Sequence, residues 1–132
     1  PLVLAISADE TQHLLWRLRK GAEMPPSLRN DSMLTINLLI GTNNLGNAHH
    51  SPEDTAAGVL AVARELLSRT KARLLVNALL PRSQNPNHKL KRKGRVTKYK
   101  SLMPAVNLVN SQLTTLIIGS LTHDFPSRVK MI

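Results

Sequence analysis

Leu34-Thr35-Ile36-Asn37-Leu38-Leu39-Ile40-Gly41-Thr42-Asn43-Asn44 is an apolar run closed by a glycine, a threonine and two side-chain amides. The run barely alternates between apolar and polar, which is the pattern of a strand covered on both faces in a parallel sheet. Gly41 supplies the tight turn at its carboxyl end. Asn43 and Asn44 are thereby delivered to the sheet rim, where ligands of open α/β sheets bind. An amide N–H held at such a rim is able to stabilise a developing oxyanion.

The surrounding chain reads as alternating strands and helices. Upstream, Leu2 to Ile6 is a short apolar strand, and Asp9 or Thr11 caps a helix running to about Lys20. Its apolar positions Leu14, Leu15 and Leu18 follow helical spacing, and Gly21 stops it. Residues 24–32 hold two prolines and read as a loop. Downstream, residues 41–50 are rich in glycine and asparagine, so a loop is expected.

Ser51 then caps a helix with Pro52 in first position and Glu53 and Asp54 in its first turn. Val59, Leu60, Val62, Ala63, Leu66 and Leu67 form its buried face, and it ends near Thr70. Arg73 to Leu80 is the next strand, stopped by Pro81. After a loop over residues 81–98, a helix runs from Pro104 or Ala105 to Leu113, and Thr114 to Ile118 reads as a last strand. The order β-α-β-α-β-α-β predicts an α/β protein: a parallel sheet with right-handed crossovers and helices on both faces.

Composition sets bounds. The 132 residues suffice for one domain and no more, and three aromatics (Trp16, Tyr99, Phe125) leave the core to aliphatic side chains. The absence of cysteine excludes disulfides and thiolate metal sites, and no apolar run has bilayer length. The chain opens on Pro1 inside an expected strand with no signal peptide in view, so the reading is a single partial domain over 1–132, with a cytoplasmic setting favoured.

The net charge of +10 is unevenly placed. Lys89, Lys91, Arg92, Lys93, Arg95, Lys98 and Lys100 put seven positive charges into residues 88–100 with no acid among them. The plain expectation is a solvated basic loop over 83–100. The functional alternative is an attraction to nucleic acid or another anionic partner.

Single residues are read as follows. Asp9 caps the first helix, Trp16 belongs to the core or to helix-to-sheet packing because its size dominates a core poor in aromatics, and Arg17 pairs with a carboxylate such as Glu23. Asn44 shapes its loop, His13 lies on a helix surface, and His49-His50 belongs to a surface loop without the partner acid a metal site needs. Arg82, at a strand end, is a candidate anion contact. Of the ten serines, none lies in a G-x-S-x-G elbow.

Four segments, in order, resemble the SGNH (GDSL-type) hydrolase family, most closely its platelet-activating-factor acetylhydrolase branch. They are Ile6 to Leu18 with its Trp16-Arg17-Leu18 signature, Gly41 to Asn44, Ser51 to Ala56, and Leu79 to Arg82. The likeness weakens after Pro86. It implies a three-layer α/β/α flavodoxin-like fold and hydrolysis of small acyl esters, with no metal and no organic cofactor.

Close members are dimers, so a homo-oligomer is among the expected states. The resemblance makes Asn43 an oxyanion-hole residue and puts Ala8, through its backbone N–H, where the family has glycine. The Ala8 methyl is expected to strain that backbone or crowd the acyl group. The family's Gly-Asp-Ser nucleophile block and its Asp-x-x-His block do not occur in this sequence; His123-Asp124 is adjacent and in reverse order. The chain alone is therefore expected to be inactive. The competing expectations are a non-catalytic subunit that contacts RNA through the basic loop, and a degenerate or misread gene product, in keeping with the atypical stretch Ser120 to Pro126.

Overall fold

The computed structural model describes residues 2–20, 24–84 and 100–132. Six helices and five strands follow one another among them: α1 (Thr11–Arg19), α2 (Pro26–Arg29), β1 (Thr35–Leu38), α3 (Thr42–Gly46), α4 (Pro52–Arg69), β2 (Arg73–Val76), β3 (Ser83–Gln84), β4 (Lys100–Ser101), α5 (Met103–Leu116), a π turn (Ile117–Leu121), α6 (Thr122–Asp124) and β5 (Val129–Met131). β1, β2 and β5 form a parallel sheet with β2 in the middle. β3 and β4 form a separate antiparallel pair. The molecule is thus mixed α/β, as expected.

Helix α4 forms where its signals say it should. Ser51 Oγ accepts the Asp54 backbone N–H at 3.0 Å, Pro52 opens the helix, and Glu53 and Asp54 face its positive end. Val59, Val62, Ala63, Leu66 and Leu67 are buried, and they meet Leu74 and Val76 of β2 and Val106, Val109 and Leu113 of α5 in one aliphatic core. Each fully buried Leu or Val there is worth about 1.5–3 kcal/mol of transfer free energy. Gly58 lets α1 approach α4: a Cβ at this position would run into the Thr11 side chain.

Several expectations fail, each for a physical reason. Residues 2–6 are not a strand of the sheet: they have no ladder partner among the described residues, and Leu2, Val3 and Ile6 are exposed rather than buried. The run over 34–40 is not covered on both faces. Along β1 exposure alternates, with Thr35 and Asn37 exposed, Ile36 half-buried and Leu38 buried, so one face meets the core and the other is open. Thr114 to Ile118 is helical, not a strand. Leu113, Ile117 and Leu121 recur every four residues at no more than 2% exposure, so helical burial overrides the β-branched composition.

The hydroxyls in that stretch also bond back along the helix, Thr114 to the Asn110 carbonyl at 2.9 Å and Ser120 to the Leu116 carbonyl at 2.9 Å. The third sheet position is taken by β5 instead, with Val76 beside Met131. The expected loops over 24–32 and 41–50 contain α2 and α3.

Candidate functional site

Gly41 follows β1 with φ +115°, a left-handed conformation that L side chains rarely adopt. A Cβ there would lie 3.1 Å from Val59 Cγ2 and 3.2 Å from Thr55 Cγ2. This turn starts α3 against α4 and places the two amides of the sequence on separate tasks.

Asn43 is half-buried. Its Nδ2 donates to the Asp9 carbonyl at 3.0 Å, and its Oδ1 accepts from Arg82 Nη1 at 2.9 Å and from Asn47 Nδ2 at 3.2 Å. One Nδ2–H is used on Asp9; the other has no acceptor among the described residues. Asn44 is 1% exposed. Its Oδ1 accepts the Thr11 backbone N–H at 3.0 Å, and its Nδ2 lies 3.0 Å from Thr11 Oγ1, 3.2 Å from Gln12 Oε1 and 3.1 Å from His50 Nδ1. Asn44 therefore anchors the start of α1 as well as shaping its own turn. It satisfies a buried N–H that would otherwise be orphaned.

These bonds bring residues 8–11 onto the rim beside α3, so Asn43 touches the carbonyl one residue beyond Ala8. Ala8 has φ +67°. The strained backbone expected for a methyl-bearing residue at this position is present, at a cost of about 1–2 kcal/mol.

Two further expectations need correction. Asp9 does not cap α1: Glu10 is the N-cap, with its backbone N–H donating to His13 Nδ1 at 3.2 Å. Asp9 instead forms an ion pair with Arg17, whose guanidinium also reaches the Leu4 carbonyl at 3.2 Å. Arg17 is thus engaged with Asp9, while Glu23 lies outside the described residues. Trp16 does not pack against the sheet; it is 62% exposed on the outer face of α1, and Leu18 takes the buried position.

Arg82 is turned onto α3 rather than outward. Besides Asn43, it donates to the Thr42 carbonyl at 3.0 Å and to Asn47 Oδ1 at 2.9 Å. Its guanidinium occupies the space a side chain at Gly46 would need. A glycine inside a short helix was the available sequence signal for this approach. His50 faces Asn44, and His49 is exposed with φ +56°. His123 Nδ1 is 3.2 Å from Asp124 Oδ1. Asp124 also pairs with Arg64 at 2.5 Å, and the hydrogen bonds from Arg64 and then His123 hold its carboxyl below the ordinary value.

Lys89, Lys91, Arg92, Lys93, Arg95 and Lys98 lie outside the described residues, and Lys100 begins β4. Among the described residues no three His, Asp or Glu side chains gather as a metal cluster, and no helix is long and apolar enough to cross a membrane.

An amide-bearing glycine turn is thus docked against the start of a helix at the edge of a parallel sheet. The chain is a relative of the platelet-activating-factor-acetylhydrolase-like SGNH hydrolases. Platelet-activating factor acetylhydrolase IB subunit alpha2 of Gallus gallus is 33% identical over 121 residues, covering 90% of this chain and 48% of the relative.

Subunit alpha1 of Bos taurus is 35% identical over 96 residues, 72% of this chain and 38% of the relative. Subunit alpha2 of Rattus norvegicus is 33% identical over 125 residues, 93% of this chain and 50% of the relative. The chain spans about half the length of the curated relatives it matches. No family model and no solved structure matches it.

Proposed function

We propose that this chain is the oxyanion-binding part of an SGNH-type acyl-ester hydrolase with the flavodoxin-like three-layer fold. Asn43 Nδ2 and the Ala8 backbone N–H hold the negative oxygen of the tetrahedral intermediate. The observation that carries this reading is the Asn43 amide: its oxygen is tied down by Arg82 and Asn47, one N–H by Asp9, and the second N–H is left to donate. A preorganised donor of this kind, removed singly, costs about 10²–10³ in kcat in complete enzymes of this chemistry.

The sequence holds no Gly-Asp-Ser and no Asp-x-x-His, so the nucleophile and the base come from outside these residues. The substrate class is a small acyl ester, by kinship with relatives named acetylhydrolases. Two measurements test the reading. A fluorophosphonate probe is expected to leave this chain unlabelled; labelling would show a serine nucleophile within it. Acetate, whose carboxylate oxygen stands in for the oxyanion, is expected to shift the Asn43 side-chain amide resonances in a ¹⁵N spectrum. An unmoved Asn43 signal at saturating acetate would sink the oxyanion reading.

A further inference from the structure

We propose that Arg82 is the positioning residue of this site, setting which end of the Asn43 amide faces the substrate; the proposal rests on the reading of Asn43 as the oxyanion donor. The two ends of an asparagine amide have nearly the same shape, so packing alone does not choose between them. Hydrogen bonding does. Arg82 carries donors only, and Nη1 sits 2.9 Å from Asn43 Oδ1. A flipped Asn43 would set its NH₂ against that guanidinium and its oxygen against the Asp9 carbonyl, donor on donor and acceptor on acceptor.

The same contact places a positive charge on the amide oxygen, which draws electrons from nitrogen and makes the remaining N–H a stronger donor. Three further observations show the guanidinium is itself held. It donates to the Thr42 carbonyl at 3.0 Å and to Asn47 Oδ1 at 2.9 Å, and it lies over Gly46, where any side chain would displace it. Arg82 directly precedes β3, and its carbonyl accepts the Leu102 N–H at 3.1 Å, so its origin is fixed by the β3–β4 pair rather than by α3.

The test reads the Asn43 amide directly, since Arg82 also supports α3 and a loss of stability alone would not separate the two roles. The full chain is ¹⁵N-labelled, and Asn43→Ala identifies the side-chain pair. Arg82→Lys keeps the charge but loses the fork; Gly46→Ala keeps Arg82 but pushes it away. Both are expected to move the Asn43 NH₂ resonances and to weaken acetate binding there, Gly46→Ala by about tenfold, the scale of one charge-assisted hydrogen bond. Arg82→Lys should lose less, because its charge remains.

An Asn43 pair unmoved in both variants overturns the proposal. So does acetate affinity fully restored by lysine, which would make Arg82 a source of charge and nothing more. Acetate failing to touch Asn43 in the unaltered chain would sink the oxyanion reading alone, because the response of the unliganded amide to the two variants still decides the role of Arg82.

Discussion

Helices α4 and α5, packed on each other and through α4 on β2, and the amino-terminal rim over residues 2–11 are held in different ways. The first region is apolar contact: Val62, Leu74, Val109 and Leu113 have no measurable exposure. The second shows Leu2, Val3 and Ile6 to solvent and is fastened by a few directed bonds, Arg17 to the Leu4 carbonyl, Asn43 to the Asp9 carbonyl and Asn44 to the Thr11 N–H. Apolar burial supplies most of the free energy but little direction. Hydrogen bonds supply less net free energy but fix orientation. The proposed site lies where orientation is fixed and stability is low, which is the usual placement of residues that must meet a ligand.

The widest gap between the two regions should appear on truncation. Leu113→Ala is expected to cost about 2–5 kcal/mol in urea unfolding, and Leu2→Ala less than about 0.5 kcal/mol. Comparable losses would erase the contrast.

Asn44→Ala comes next and probes the seam. It orphans the buried Thr11 N–H and should cost about 1–3 kcal/mol, with hydrogen exchange at Thr11 accelerated. Exchange at Thr11 unchanged would mean the rim is held by something else. Ala8→Gly should act in the opposite direction, gaining up to about 1 kcal/mol by relieving the left-handed backbone, offset in part by glycine's greater unfolded-state freedom. A destabilised glycine variant would show that Ala8 does not carry strain.

The smallest effect is a pH dependence. Burial raises the Glu65 carboxyl, but hydrogen bonds and charge from Arg19 and Arg69 together outweigh it and hold the group below its ordinary 4.5. A depressed folded value means the contribution is complete above about 4.5 and is lost as pH falls through the folded value. Glu65→Gln should therefore flatten the acid limb of stability against pH. An identical limb in the variant would assign acid sensitivity to other carboxylates.

Local signals with a single mechanism were legible in the sequence. Ser51, Pro52, Glu53 and Asp54 announced α4, and its heptad-like apolar spacing announced the face it buries. Gly41 announced a turn that only glycine tolerates. Signals that depend on what lies across the fold were not legible. The stretch Thr114 to Ile118 has strand composition, yet the spacing of Leu113, Ile117 and Leu121 faces a core whose position no local window reveals.

Trp16 looked like core because of its size, but α1 meets α4 through Leu18 and Thr11 instead. In the candidate site, Asn43 and Ala8 were read from kinship, whereas the Asn44 anchor and the Arg82 fork join residues more than thirty positions apart. Only three-dimensional proximity pairs them.

The one-sided position of β1 carries a practical consequence. Part of the backbone of Thr35–Leu38 has no ladder partner among the described residues, beside the exposed side chains of Met33 and Leu39. Such a margin acts as a template for any extended peptide that comes alongside it. Solutions of the isolated chain should therefore thicken into assemblies as concentration rises, and a short strand-forming peptide added in excess should keep them clear.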